Sequence, residues 1–124
     1  MEIQQTDNKP YINLDELNCI LTIKGASYGE HVDMFYEPIF AQVNEHIPTN
    51  DITINLAMSL MDSVSEKYIF HIIKTLTGIH ELVINWYYEE DDEDMLDTGE
   101  IWRDSLTGTE FNIYSVLDIN DLVI

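Results

Sequence analysis

The alternation between Leu82 and Tyr88 constrains this chain more than any other feature. Leu82, Ile84, Trp86 and Tyr88 take turns with Val83, Asn85 and Tyr87, the period-2 pattern of a strand with two distinguishable faces. Six consecutive acids follow, Glu89 to Asp94. Like charges side by side repel, so this block should leave the sheet and meet water. The strand then ends in one of two ways. It runs into a solvated acidic turn, the common fate of a charge run, or it delivers an aromatic-flanked acidic edge for recognition.

A second alternation runs from Ile52 through Ile54, Leu56, Met58 and Leu60, with Thr53, Asn55, Ala57 and Ser59 between them. The segment joining these two strands has helical phase instead: Tyr68, Ile69, Ile72, Ile73 and Leu76 share one face, and Gly78 is a stop. Its start, Ser63-Val64-Ser65-Glu66, has the Ser-x-x-Glu spacing of a capping box. Upstream, Val32, Phe35, Tyr36, Ile39, Phe40, Val43 and Ile47 fall at helical spacing, interrupted by Pro38. That proline either kinks one helix or opens the main helix at its first position, and the second layout is preferred.

Tyr11 to Leu14 and Cys19 to Lys24 read as a hairpin turned by Asp15-Glu16-Leu17-Asn18. Gly25 to Gly29 then breaks the chain. Past the acids, Met95 to Ser105 reads as a short helix interrupted at Gly99, and Glu110 to Val116 as the last strand. The expected fold is therefore α/β, a mixed sheet with helices packed on it in the order β-β-α-β-α-β-α-β. The whole of 1–124 is expected to be one domain, with tails at 1–10 and 118–124.

Charge narrows the function. Five Lys and Arg against 24 Asp and Glu give a formal charge of −19, which repels nucleic acid and anionic membrane surfaces and favours basic protein partners. A hydrophobic content of 45% argues for a folded core all the same. The lone Cys19 forms no internal disulfide and reads as a buried strand thiol. No basic-then-apolar leader or membrane-length apolar run is present, so a cytoplasmic location is expected.

No catalytic signature stands out. His31, His46, His71 and His80 form no metal-binding spacing, and neither a nucleophile elbow nor a glycine-rich phosphate loop is present. No cofactor is expected, and the chain does not read as an enzyme. The rival reading is a divalent-cation-dependent enzyme or cation-binding protein that uses the acids 89–94. It lacks the glycine that turns a calcium loop, and adjacent acids on an extended chain point apart, so no metal ligand is assigned.

Ser63 is the residue of most interest. It follows a strand and opens a helix, where free N–H groups favour an anion. By default it is a helix cap. Alternatively it accepts phosphate, which adds nearly two negative charges beside Asp62 and Glu66 and changes what can dock there without unfolding the domain.

Several segments together carry a family resemblance. Asn85 to Leu96 with Gly99-Glu100, the run Gly25-Ala26-Ser27-Tyr28-Gly29-Glu30, the element Phe35-Tyr36-Glu37-Pro38 and the segment Asp62 to Lys67 resemble SiaC-type regulatory phosphoproteins. Those are small bacterial proteins similar in fold to the STAS domains of anti-sigma-factor antagonists, and the resemblance spans about residues 11 to 116. It lays Asp62 to Lys67 on the family's Asn-Thr-Ser-Ser-Ser-Lys and Ser63 on its phosphorylated threonine. Here Ser replaces that Thr, Val64 and Glu66 replace two serines, and Gly29 replaces a proline. Ser65 is the fallback acceptor.

The resemblance implies a partner-switching Ser/Thr protein kinase, a metal-dependent PP2C-type phosphatase, and a downstream target that can be a diguanylate cyclase. That would link the chain to cyclic-di-GMP signalling and biofilm behaviour. The expected docking surface is the helix start, Asp62, Ser63, Ser65, Glu66 and Lys67. Tyr87, Tyr88, Glu89, Glu90 and Asp91 are expected to form a second contact region that steers basic partners.

Overall fold

The computed structural model describes residues 1–48 and 50–124. Six strands form one mixed sheet in sequence order: β1 (Glu2–Ile3), β2 (Tyr11–Asp15), β3 (Ile20–Ser27), β4 (Ile52–Met61), β5 (Leu82–Glu89) and β6 (Glu110–Val116). The first three pair antiparallel, and β3 to β6 pair parallel. Helices α1 (Val32–His46), α2 (Ser63–Thr77) and α3 (Glu93–Ser105) make the three parallel crossovers, as parallel neighbours require.

Register explains the faces. Ile12, Ile23, Leu56, Trp86 and Ile113 lie in one row across the sheet, and Leu14, Leu21, Ile54, Ile84 and Phe111 in the next. These rows meet the helices: Tyr36, Ile39 and Val43 from α1, Ile69 and Ile73 from α2, and Trp102 from α3 join one buried cluster with them. Each fully buried aliphatic side chain here stabilises the fold by about 1.5–3 kcal/mol relative to exposure. The opposite face carries Thr22, Asn55, Asn85 and Asn112 side by side. Asn112 donates to Asn85 at 3.1 Å, Asn85 to Asn55 at 3.0 Å, and Asn55 to Thr22 at 3.5 Å.

The expected mixed sheet and alternating order are present, with differences that have physical causes. Glu2–Ile3 was expected in a loose tail, yet it pairs with Ile12–Asn13 as a sixth strand, and the N-terminal amine donates to the Leu14 carbonyl. The far end also docks. Ile119 is fully buried on the open sheet face, its N–H donates to the Glu89 carboxylate at 3.1 Å, and Lys24 Nζ donates to the Leu122 carbonyl at 2.8 Å.

Pro38 does not open a helix, for α1 runs through it as one helix from Val32 to His46. Pro38 and Met34, the residue whose carbonyl loses its donor, both lie on the exposed face. Water can serve that carbonyl, while Tyr36 and Ile39 anchor the helix on either side. Cys19 is not in a strand. It sits half-buried in the β2–β3 turn with φ of 56°. The strand after it continues past Lys24 to Ser27, absorbing a register shift between Gly25 and Ala26 as a bulge.

Gly99 does not interrupt α3. A Cβ there would lie 2.5 Å from Trp86 Nε1, so glycine is what lets the helix rest on the indole. Nor does the acid block stay in water as one piece. Glu89 still belongs to β5, Asp92 caps α3, and Glu93 and Asp94 occupy its first turn, where the helix dipole favours acids.

Candidate functional site

Strands β4 and β5 are parallel neighbours, so α2 and α3, which follow them, both begin at the same carboxyl-end edge of the sheet. Such edges are where open α/β sheets commonly bind. The site is built from these two helix starts and the loop after β3.

Asp62, not Ser63, caps α2. Asp62 has extended backbone angles, and its Oδ1 accepts from the Ser65 N–H at 2.8 Å. Its other oxygen accepts from the Gly29 N–H at 3.0 Å, and its own N–H donates to the Ser27 carbonyl at 3.1 Å. The bond from the Ser65 N–H, aided by the Gly29 N–H and the charge of Lys9, holds the Asp62 carboxyl below the usual carboxylate range despite partial burial. The Ser63–Glu66 capping box is therefore not formed: the helix is capped one residue earlier, and the Glu66 N–H donates to the Asp62 carbonyl at 3.0 Å.

Ser63 becomes the first helical residue. It is exposed, and among the described residues its hydroxyl makes no hydrogen bond. The N–H groups of Ser63 and Val64 have no partner within the helix, as at every helix start. Leu60, three residues before it, and Val64, the next residue, are 51% and 58% exposed, so uncovered apolar residues flank it in the chain.

Ser65 behaves differently. It is fully buried. Tyr36 O–H donates to Ser27 Oγ at 2.8 Å, and Ser27 donates to Ser65 Oγ at 2.9 Å. Burial pushes the Tyr36 phenol well above its ordinary range, so the chain of hydroxyls stays neutral. Ser65 is a structural link in this arrangement, not an accessible acceptor. Lys9 Nζ closes the far side by donating to the Tyr28 carbonyl at 2.8 Å, and Gly29, with φ of 94°, makes the turn that brings its N–H to Asp62. Lys9, Ser27, Tyr28, Gly29, Tyr36, Asp62 and Ser65 are thus tied by hydrogen bonds into a base for the start of α2.

The α3 start is built on shape. Asp92 Oδ1 accepts from the Met95 N–H at 3.1 Å, repeating the Asp62 cap. Below it Trp86 Nε1 donates to the Met95 carbonyl at 3.2 Å. Trp86 and Trp102 meet edge to face at 5.0 Å, and Phe70 of α2 meets Trp102 at 5.2 Å.

The sequence-derived contact regions are only partly brought together. Asp62, Ser63, Glu66 and Lys67 cluster at the α2 start. Tyr87 faces the other side of the sheet, its ring tilted against Tyr114 at 5.3 Å, and burial raises its phenol. Glu89 shares that side, bound to the C-terminal segment. Tyr88 is half-buried against the core, and Glu90 and Asp91 are exposed in the turn. The acids that do join the α2 start are Asp92 and Asp94, which line a hollow of about 260 Å³ with Ser59, Leu60, Met61, Glu66, Met95 and Thr98. Asp92, a capping residue followed by two acids and then apolar Met95, was the helix-start signal for them in the sequence.

Among the described residues no three His, Cys, Asp or Glu side chains are arranged to hold a metal ion, and no helix is long and apolar enough to cross a membrane. The site offers an exposed hydroxyl on a rigid base and an acid-flanked apolar surface, which is binding geometry.

Across residues 3–116 the sequence matches the model of the SiaC family regulatory phosphoprotein. Its fold is similar to a chain in the crystal structure of diguanylate cyclase SiaD in complex with its activator SiaC from Pseudomonas aeruginosa. The TM-score is 0.82 at 20% identity, over 94% of this chain and 99% of that one. It is also similar to apo-SiaC from Pseudomonas aeruginosa, with a TM-score of 0.71 at 18% identity over 93% and 96% of the two chains. A further SiaC structure from that organism gives 0.77 at 18% identity over 94% and 98%. No curated protein matches.

Proposed function

This chain belongs to the SiaC family of regulatory phosphoproteins, and we propose that reversible phosphorylation of Ser63 sets which partner it binds. A Ser/Thr protein kinase adds the phosphate and a PP2C-type phosphatase removes it. The unphosphorylated form binds and controls a downstream target in the cytoplasm, a diguanylate cyclase. The chain carries out no reaction of its own.

One observation carries this reading: Ser63 presents an exposed, unbonded hydroxyl on a helix start whose cap and underlying hydroxyls are already satisfied without it. Modifying it breaks no internal hydrogen bond. The helix dipole tolerates the added anion, while a partner covering Leu60 and Val64 meets a new, strongly solvated group. The diguanylate cyclase complex of a structural relative supports the choice of target.

Phosphopeptide mass spectrometry on the protein from its own cells, beside Ser63→Ala, tests the reading. Phosphate on Ser63 that is absent from the variant, with a changed set of co-purifying partners, is the expected result. An unmodified Ser63 under every growth condition sinks it.

A further inference from the structure

The two strands that end the sheet differ in how they treat their open edge. β1 is two residues long and carries Glu2, so it offers little to a strand from outside. β6 is seven residues long and pairs on one side with β5, and among the described residues its outer side has no backbone partner. Edge strands usually carry a lysine, a proline, a bulge or an inward charge that discourages pairing. From Phe111 to Val116 β6 has no charge and no proline, and its register with β5 runs without a shift. Phe111 and Ile113 are half-buried on the helix side, and Tyr114, 45% exposed, stands beside Tyr87 on the open face. Charge returns at both ends. Glu110 is exposed at the start of the strand. Glu90 and Asp118 are exposed at its finish, where the Glu90 N–H donates to the Val116 carbonyl at 2.9 Å.

We propose that the free edge of β6 takes up an extended segment of a partner protein as a further strand. That segment has an uncharged, β-branched or aromatic middle of about five residues and Lys or Arg at both ends. Affinity comes from the main chain, since the unpaired N–H and C=O groups of a regular edge need only an extended backbone opposite them. Side chains supply the choice. Alternate residues of the added strand lie beside Phe111 and Ile113 and cover their open edges, and those between lie beside Asn112 and Tyr114. Basic ends meet Glu110 on one side and Glu90 and Asp118 on the other, so the charges match whichever way the segment runs. A second copy is a poor occupant. Pairing β6 to β6 would join two chains of −19 and lay acidic ends on acidic ends. The proposal adds a contact surface to the one at the α2 start and does not depend on Ser63 phosphorylation.

The probe is a synthetic peptide of about nine residues, Val alternating with Thr between paired lysines at each end, titrated against the full chain. Binding with added hydrogen-exchange protection across residues 110–116 is the expected result. N-methylation throughout the middle of the peptide abolishes it, and glutamate in place of lysine weakens it at least about tenfold. Ser115 is exposed on this edge, and Ser115→Lys weakens binding about tenfold by protecting the edge. Asp33→Lys, at an exposed position on α1, changes the net charge by more yet leaves binding within about twofold. Circular dichroism verifies that both variants are folded. A probe that fails to bind overturns the proposal. So does one that binds equally well when N-methylated, or that Asp33→Lys weakens as much as Ser115→Lys does, since either marks general attraction to an acidic surface. Sedimentation of the chain alone is expected to show a monomer. A dimer that is lost in Ser115→Lys would mean that β6 pairs with a second copy, and it overturns the proposal as well.

Discussion

The starts of α2 and α3 are built alike and rest on opposite kinds of interior. Each is capped by an aspartate whose side chain accepts the N–H three residues on, Asp62 from Ser65 and Asp92 from Met95. Beneath α2 lies a chain of buried hydroxyls, Tyr36 to Ser27 to Ser65. Beneath α3 lie Trp86 and Trp102, with Gly99 pressed against the indole. A chain of hydroxyls underlies one start, and close-fitting indoles, with one hydrogen bond from Trp86 to the Met95 carbonyl, underlie the other. The difference separates the roles: α3 is a fixed wall, whereas the exposed first residue of α2 can change charge without disturbing what holds it.

The sharpest way to break this comparison is Gly99→Ala. The added methyl cannot fit 2.5 Å from Trp86 Nε1, so α3 must lift or Trp86 must turn. A loss of about 2–3 kcal/mol in chemical denaturation is expected. If alanine is tolerated, α3 is not held by shape.

Ser65→Ala is the matching test under α2. It leaves the Ser27 hydroxyl without its acceptor in a fully buried place, which costs about 2 kcal/mol. Tyr36→Phe removes only the outermost donor and costs about 1 kcal/mol. If both variants unfold at the wild-type denaturant midpoint, the hydroxyl chain is incidental.

These two interiors also mark where the sequence was readable. The alternations at Ile52–Leu60 and Leu82–Tyr88 and the phase of Tyr68 to Leu76 are local patterns, and the strands and α2 they imply are present within a residue or two. The α2 cap was not readable. Asp62 and Ser63 are both good capping residues, and the choice is settled by Ser27 and Gly29, more than 30 positions upstream. Gly99 was misread for a similar reason, since a glycine that ends a helix and one that admits an indole look the same in one dimension. Tyr87 and Tyr88 were grouped as neighbours in sequence, but strand periodicity sends them to opposite faces of the sheet. Cys19 likewise read as strand because the β-branched Ile20, Thr22 and Ile23 follow it, while its positive φ belongs to the turn.

The caps come next in size. Asp62→Ala and Asp92→Ala each remove one N3 acceptor and are expected to cost about 1 kcal/mol. They should differ in reach. Asp62 also ties down Gly29, so its loss raises hydrogen exchange in the 28–31 loop as well as at the start of α2, whereas Asp92→Ala affects α3 alone. Acid separates wild type from Asp62→Asn further. The folded Asp62 carboxyl lies below its ordinary value, so its contribution is complete above about pH 4, the unfolded carboxylate range, and fades as pH falls through the folded value. Asparagine caps without titrating, so Asp62→Asn should lose less stability than wild type between neutral and acid pH. Equal losses in the two proteins would mean that Asp62 does not act as an ionised cap.

Ser63→Ala has the smallest expected effect on stability, and that smallness matters most for function. The side chain is exposed and bonded to nothing among the described residues, so the change should lie within about 0.5 kcal/mol. Ser63→Asp should be equally mild, because a carboxylate at a first helical turn is favourable. A switch needs this combination: a residue that the fold ignores, placed where a partner cannot ignore it. If Ser63→Ala lowers stability by as much as Ser65→Ala, then Ser63 belongs to the hydrogen-bonded base. Phosphate there would loosen the α2 start itself, and partner exchange would follow local unfolding. If stability is unchanged while partner affinity shifts between Ser63→Ala and Ser63→Asp, the α2 start acts as a rigid platform whose surface charge alone decides what docks.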